Sequence, residues 1–154
     1  MKINVPGYKE LSFENAVLDM NGTIAADGVI REAVRRRLVK LSELLCVHVL
    51  TADTQGTAAR ELNGLPVSLR IFSQNDSAQS KLRIVEALKG GCVCVGNGNN
   101  DRLMFRAAEL SIAVLDEEGL CASLLSEADL LVKSSEDALD LIMDEKRLIS
   151  GLRG

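Results

Sequence analysis

Aspartate, threonine and asparagine side chains that could handle a phosphate group stand where apolar segments of the chain end. Asp19 closes the apolar run "AVLD" and is followed by a turn containing Asn, Gly and Thr. A carboxylate at the end of a buried strand needs a reason, because an unpaired buried charge is costly. Capping of a turn is one interpretation. A nucleophile that forms an aspartyl-phosphate fits better, since no strong helix begins there.

Two later segments carry the same kind of signal. In "LTADT", Thr51 stands where a strand gives way to a helix, so its hydroxyl and nearby backbone N–H groups could seat an anion. An ordinary helix cap by Asp53 or Thr54 is the competing interpretation. In "GNGNND", residues 96–101, two glycines allow a tight turn that gathers three amides and an acid. It is not a dinucleotide-binding fingerprint, because Asp101 replaces the third glycine of G-x-G-x-x-G.

These segments are positioned by short apolar runs that alternate with helical patterns, which predicts an α/β fold with a mainly parallel sheet. Strands are expected at "AVLDM", "CVHVLTA", "VSLRIF", "CVCVG", "LSIAVL" and "DLLVK", and an edge strand at "MKINV". Helices are expected over 31–45, 54–64 and 76–89, from about residue 100, near "GLCASLLSEA" and over "SEDALDLIMDEK". Ligands of such sheets bind at the carboxyl ends of the strands, where 19–23, 51–54 and 96–101 would meet.

Composition limits the class of protein. The 154 residues are 47% hydrophobic with a net charge of −4, which predicts a single globular domain over 1–154 and argues against a nucleic-acid partner. The opening residues lack the apolar core of a signal peptide and no run is long enough to span a membrane, so a cytoplasmic protein is expected. Cys92, Cys94 and the lone His48 are expected to pack structurally rather than bind metal.

The order of the polar segments resembles the haloacid dehalogenase superfamily of phosphohydrolases over nearly the whole chain. "DMNGT", "TAD" and "GNGNND" look like the D-K-T-G-T, T-G-D and G-D-G-x-N-D segments of P-type ATPase phosphorylation domains. Small soluble P-type-ATPase-like proteins share this pattern. The resemblance implies a three-layer Rossmannoid fold, with helices on both faces of the sheet and a small flap hairpin after the first motif.

The resemblance also implies a role for each residue. Asp19 would be the nucleophile, and the phosphate would be held by Thr51, the N–H of Ala52, Lys81 and Asn100. Mg²⁺ would be bound by Asp19, the backbone carbonyl of Asn21, Asn97 and Asp101, an oxygen-only set that suits this ion. Taken alone, Lys81 in "NDSAQSKLRIVEAL" has the features of a surface lysine. By resemblance it would neutralise the phosphate and Asp19, so its ammonium is expected within direct reach of that carboxylate.

Two positions depart from the family pattern. Asn21 stands where most phosphatases of the superfamily have a second aspartate, which protonates the leaving group and then activates water. Asn97 stands where the family has a metal-binding aspartate. The implied activity is therefore a slow, magnesium-dependent hydrolysis of a phosphorylated small molecule. The alternative is a non-hydrolytic phosphate-binding or phospho-switch module on the same scaffold.

The spacing of the motifs leaves no room for a cap domain. One short hairpin and one helix fill the chain between Asp19 and Thr51, and the stretch from Thr51 to Lys81 is equally short. The site is therefore expected to be open unless a neighbouring subunit covers it, as in capless sugar-acid phosphatases of the superfamily, which are tetramers. A homo-oligomer would use Gly28, Val29 and Ile30 as contact residues; a simple loop is the other interpretation of that segment.

Overall fold

A parallel sheet forms the centre of the computed structural model, which describes residues 1–54 and 56–154. The strands are β1 (Lys2–Asn4), β2 (Glu10–Ser12), β3 (Asn15–Asp19), β4 (Cys46–Thr51), β5 (Ser68–Ile71), β6 (Cys92–Gly96), β7 (Leu110–Val114) and β8 (Leu130–Val132). The sheet has six strands in the order β5-β4-β3-β6-β7-β8, and every neighbouring pair is parallel. The predicted parallel α/β sheet is thus confirmed.

Helices cover both faces of this sheet. They are α1 (Glu32–Ser42), α2 (Ala58–Glu61), α3 (Ser77–Ala87), α4 (Arg102–Ala107), α5 (Ser135–Met143) and α6 (Glu145–Leu152), with 3₁₀ turns at Gln74–Asp76, Asn99–Asp101 and Ala122–Glu127. Buried residues of α1, α5 and α6 share one hydrophobic cluster with Ala16 and Leu18 of β3. Buried residues of α3 and α4 share the other with Val17. The result is the predicted three-layer arrangement.

The alternation along β3 decides where Asp19 lies. Successive side chains of a strand point to opposite faces, so residues two apart share a face. Asp19 lies two residues after Val17, which packs in the cluster that contains α3. The carboxylate therefore leaves the sheet on the α3 side, and Lys81 belongs to that helix.

Three predicted elements differ from the structure. A strand forms within "MKINV" as expected, but it does not join the edge of the main sheet: after a turn in which Gly7 has a φ of 74°, β1 pairs antiparallel with β2 in a separate two-stranded sheet. The helix expected near residues 119–128 is a 3₁₀ turn. The closing helix ends at Met143, since the Asp144 side chain accepts a hydrogen bond from Arg147 N at 3.2 Å and begins α6.

The short connections between the strands and helices agree with the predictions made from the sequence. Helix α2 lies within the predicted range 54–64, of which Gln55 is outside the described residues. After β3, an antiparallel bridge between Ala26 and Val29 forms a flap hairpin of minimal size. Within residues 1–54 and 56–154, no cap domain interrupts the sheet. In the same ranges, no helix is apolar and long enough to cross a bilayer.

Cys92, Cys94 and His48 pack inside the fold, as expected. Both thiols are buried on β6 with their sulfur atoms 3.7 Å apart. His48 is buried on β4, and its Nε2 lies 3.1 Å from the Asn15 side-chain oxygen.

Candidate active site

The sequence-predicted residues meet at the carboxyl ends of the three central strands. Asp19 ends β3, Thr51 ends β4 and Gly96 ends β6. The chain leaves β3 toward β4 and β5 on one side and later returns to β6 on the other, so the strand order switches direction beside β3. Open α/β sheets bind their ligands at such a point. A cavity of about 370 Å³ opens there, lined by Asp19, Asn21, Thr51, Ala52, Thr54, Phe72, Gln74, Ser77, Lys81, Asn97, Gly98 and Asn100.

The ammonium group of Lys81 is the centre of the site's hydrogen bonding. Its Nζ donates to Asp19 Oδ1 at 2.7 Å and to Asp101 Oδ1 at 2.6 Å. A longer bond of 3.3 Å reaches Asn100 Oδ1. Lys81 is only 1% exposed and is one helical turn before the buried Val85, so the inner face of α3 directs its side chain into the site. The predicted contact between Lys81 and Asp19 is confirmed.

Burial and neighbouring charges shift the pKa values of Asp19 and Lys81. Burial, together with the nearby Asp101 carboxylate, raises the pKa of Asp19 to about 7, although the Lys81 ammonium opposes the change. Burial alone would lower the pKa of Lys81, but the two carboxylates raise it above its ordinary value. One ammonium thus serves two buried carboxylates. Lys81 stays charged, and Asp19 is the acid that ionises with difficulty.

Asp101 is completely buried, and both of its carboxylate oxygens accept hydrogen bonds. Besides the bond from Lys81, its Oδ2 accepts hydrogen bonds from the backbone N–H groups of Asn97 at 3.0 Å and Gly98 at 2.9 Å. These bonds wrap the loop after β6 around the carboxylate. Its part in metal binding stays a prediction, whereas its contact with Lys81 is a feature of the fold.

Thr51 lies at the back of the cavity and is 2% exposed. Its Oγ1 accepts hydrogen bonds from Asp53 N at 2.8 Å and from Asn21 Nδ2 at 3.4 Å. The Asp53 carboxylate accepts from the N–H groups of Thr57 and Ala58, both at 3.0 Å, at the start of α2. The capping interpretation therefore applies to Asp53 and leaves Thr51 in the cavity.

Asn97 joins three segments near the cavity. Its Oδ1 accepts a hydrogen bond from Thr23 Oγ1 at 3.1 Å, and its Nδ2 donates to Gly119 O at 3.0 Å. Gly22 has a φ of 77°, and a Cβ there would lie 3.0 Å from Asn97 Cγ, so the turn passes directly over this side chain. Metal binding by Asn97 stays a prediction.

The residues expected to touch a neighbouring subunit are only partly available. Gly28 and Ile30 are buried within the subunit, whereas Val29 is 53% exposed. A contact through this segment would therefore use the Val29 side chain.

Sequence reasoning missed one wall of the cavity. This wall contains Phe72 and Gln74, which lie between β5 and α3, and Ser77, which begins α3. Phe72 N donates to Thr51 O at 3.2 Å, which fixes this segment beside the end of β4. The rule that strand ends carry the ligand site applies to β5 as well. Phe72 itself carries no group capable of acid, base or nucleophilic chemistry, so its residue type is no signal of a site.

Few of the oxygen donors at the site are carboxylates. Within the described part of the chain, no group of three or more His, Cys, Asp and Glu side chains is placed to hold a metal ion. Among the side chains that line the cavity, oxygen comes from the Asp19 carboxylate, from amides and from hydroxyl groups. Such donors suit a hard cation that keeps several water ligands.

Relatives of known sequence identify a family. No protein-family model matches the chain. The uncharacterized protein MJ0073 of Methanocaldococcus jannaschii is 40% identical over 74 residues, which is 45% of this chain and 80% of that protein. The uncharacterized protein MJ0072 of the same organism is 53% identical over 38 residues, 25% of this chain and 86% of that protein.

Solved structures identify the fold. One is the 3-deoxy-D-manno-octulosonate 8-phosphate phosphatase of Moraxella catarrhalis in complex with magnesium, phosphate and the sugar acid; it has a TM-score of 0.68 at 14% identity and covers 90% of each chain. Another is a zinc-transporting PIB-type ATPase, with a TM-score of 0.60 at 20% identity over 79% of this chain and 20% of that one. The chain therefore belongs to the family of the two Methanocaldococcus jannaschii proteins and has the fold of the haloacid dehalogenase superfamily.

Proposed function

We propose that this protein hydrolyses phosphate monoesters with the help of Mg²⁺, through an aspartyl-phosphate intermediate on Asp19. The observation that carries the proposal is the buried contact between Lys81 and Asp19 at the end of the central strand, on the wall of an open polar cavity. Asp19 shares the cavity lining with Thr51 and Ala52, so a carboxylate nucleophile stands in the same cavity as a hydroxyl and a backbone N–H that can hold an anion. The phosphatase of the same fold, solved with magnesium and phosphate, supports this class of chemistry.

The first step would transfer the phosphoryl group to the protein. A carboxylate oxygen of Asp19 attacks phosphorus, the bond from phosphorus to the leaving oxygen breaks, and the departing alkoxide takes a proton from water. Thr51 Oγ1 already accepts two hydrogen bonds, so its own hydrogen can be donated to a phosphoryl oxygen, beside the N–H of Ala52. Asn100 turns its Oδ1 toward Lys81, which leaves its Nδ2 to donate to the phosphate.

The second step would release phosphate. Water attacks the phosphorus atom of the acyl phosphate, inorganic phosphate departs and the Asp19 carboxylate is restored. In this step a general base would normally take a proton from the water. The Asn21 amide lines the cavity but cannot accept that proton. We therefore expect a long-lived phosphoenzyme and slow turnover.

Mg²⁺ would be held by Asp19, the backbone carbonyl of Asn21, Asn97 and Asp101. The oxygen-only donor set fits this ion. Both Asp101 oxygens and Asn97 Oδ1 already accept hydrogen bonds, so we expect weak binding with most coordination positions left to water. When bound, the ion would supply positive charge to the phosphoryl oxygens.

The test is hydrolysis of para-nitrophenyl phosphate with and without Mg²⁺. Asp19→Asn should abolish activity, because an amide is not a nucleophile toward phosphorus. Asp76→Asn is the matched control, since Asp76 is an exposed carboxylate paired with Arg83 outside the cavity, and it should keep wild-type activity. Wild-type activity in a clean preparation of Asp19→Asn would overturn the proposal.

A non-hydrolytic phosphate-binding or phospho-switch module is the second candidate. The amides at Asn21 and Asn97 favour it, because both are held by hydrogen bonds and neither can act as an acid or base. Mass spectrometry after incubation with acetyl phosphate separates the two functions. A switch would accumulate phosphate on Asp19 without steady release, whereas an enzyme would release phosphate continuously.

The proposed partner is a phosphorylated small molecule. Because the cavity is open, a second subunit could cover it, and we propose Val29 as the contact residue of such a homo-oligomer.

A further inference from the structure

The cavity has a wall on its α3 side, formed by Phe72, Gln74 and Ser77 and here named the β5–α3 wall. The wall contains an aromatic ring in a chain that has three Phe, one Tyr and no Trp. Phe13 and Phe105 are buried in the core, and Tyr8 is hydrogen-bonded to Asp129. Phe72 is the Phe that is half-buried and lines a cavity.

The ring of Phe72 lies close to the reacting groups. Its centroid is 5.7 Å from Lys81 Nζ, and Lys81 Nζ is 2.7 Å from Asp19 Oδ1. The ring and the Asp19 carboxylate thus face the same ammonium group in one cavity, so the group esterified to a phosphoryl on Asp19 can lie along the β5–α3 wall. An aromatic ring in this place offers a planar apolar surface to whatever the phosphate carries.

Beyond Lys81, the described residues that line the cavity supply no cation for a second anion. Among the side chains that line it, Asp19 and Lys81 are the charged ones. Lys81 is buried and already donates to two carboxylates, so it has no free charge to offer beyond the phosphate. Gln74 and Ser77 are neutral and can hydrogen-bond to hydroxyl or carbonyl groups.

We propose that the β5–α3 wall binds the leaving group and selects phosphate monoesters of neutral alcohols that carry a planar ring, with Phe72 stacking on the ring. The inference rests on the proposed function, since it names the substrate class of the same site. It separates this protein from a sugar-acid phosphatase of the same fold, because a carboxylate on the substrate would find no cation at this wall.

Planarity is tested with benzyl phosphate and cyclohexylmethyl phosphate, which are both esters of primary alcohols with similar leaving groups. Stacking of aromatic rings is worth enough to change kcat/KM about twofold to tenfold. We expect the wild type to prefer benzyl phosphate by that factor. Phe72→Leu should remove the preference, Phe72→Tyr should retain it, and Ile71→Ala, an exposed neighbour outside the cavity, should match the wild type.

Charge is tested with para-carboxybenzyl phosphate and its neutral analogue para-carbamoylbenzyl phosphate. The wild type should use the neutral compound better, because the carboxylate loses hydration at the wall without gaining a cation. Gln74→Lys adds a cation to the β5–α3 wall and should reverse or erase the difference. An unchanged ratio in Gln74→Lys would refute the neutral-alcohol part of the proposal.

Binding measurements test the β5–α3 wall independently of the proposed hydrolysis. Affinities for benzylphosphonate and cyclohexylmethylphosphonate, measured by calorimetry, report the wall even if no ester is hydrolysed. A preference for benzylphosphonate that disappears in Phe72→Leu and persists in Phe72→Tyr supports the wall. Equal affinities in the wild type, or a preference that survives in Phe72→Leu, would overturn it, whatever the outcome for Asp19→Asn.

Discussion

The amide of Asn21 lies half-buried on the cavity wall, and its Nδ2 is 3.4 Å from Thr51 Oγ1. In this place an aspartate could give a proton to the leaving group and later accept one from water. Asparagine has the same shape and does neither. At the scale of single residues, the proposed slow turnover therefore follows from one atom of this side chain.

Asn21→Asp should raise the rate of hydrolysis. General acid–base catalysis contributes about 10²–10⁴-fold, but the new charge lies near Asp19 and the phosphate and opposes attack, so we expect a gain nearer to about tenfold. In its protonated form the new carboxyl group can donate to Thr51 Oγ1 as the Asn21 amide does, which keeps the position of the side chain. The gain should be larger for an alkyl phosphate than for an aryl phosphate, because a poor leaving group needs protonation more.

Asn99→Asp is the matched control for that experiment. Asn99 is exposed and does not line the cavity, so the substitution adds the same negative charge nearby but places no acid or base in the cavity. Equal or lower rates for Asn21→Asp on both substrates would mean that position 21 does not limit turnover, and the phospho-switch would then be preferred.

At the scale of elements, Asn97 connects the loop after β6 with two others. Its side chain receives a hydrogen bond from the turn after β3 through Thr23 and donates one to the loop after β7 through Gly119. The donor to a backbone carbonyl is the part that an aspartate could not reproduce. The departure from the family pattern at position 97 thus has a structural use.

Asn97→Asp should destabilise the protein when no metal is present. It replaces the donor to Gly119 O with a carboxylate oxygen; a fully buried acceptor left without its donor costs about 1–3 kcal/mol, so we expect the low end of that range for this half-buried pair. Chemical denaturation in EDTA measures the loss, with the exposed Asn75→Asp as control. Mg²⁺ should recover more stability in Asn97→Asp than in the wild type if position 97 binds metal. Unchanged stability in EDTA would show that the connection contributes little.

The elements were predictable where a pattern is local. Apolar runs and helical periodicity identify the strands and helices of the parallel sheet, and the order of the motifs brings Asp19, Thr51 and Lys81 together. The hairpin of β1 and β2 was missed because each strand has three residues and its pairing depends on the turn at Gly7. The position of Phe72 on the cavity wall could not be predicted, since it depends on the backbone bond to Thr51 at the end of β4 and the side chain carries no reactive group.

At the scale of the whole molecule, the site places an excess of negative charge inside a protein whose net charge is already −4. Two buried carboxylates share the Lys81 ammonium, and the pKa of Asp19 is raised to about 7 by burial and by Asp101. The unfolded chain releases that proton near the ordinary value of 3.8. Between these two values the folded protein binds more protons than the unfolded chain, so its free energy of unfolding falls as the pH rises.

Asp19→Asn should remove this pH dependence. The variant has no proton to lose at position 19, and Lys81 keeps its bond to Asp101, so its melting temperature should change less than that of the wild type between about pH 5 and about pH 8. Without metal, the variant should be the more stable protein at about pH 8, and the difference should shrink toward about pH 5, where the wild type is protonated. Thermal unfolding in EDTA across this range, with Asp76→Asn as the control, measures both trends. Parallel curves for Asp19→Asn and the wild type would show that Asp19 ionises freely in the folded protein, and the site would then hold its two carboxylates without the strain that burial imposes.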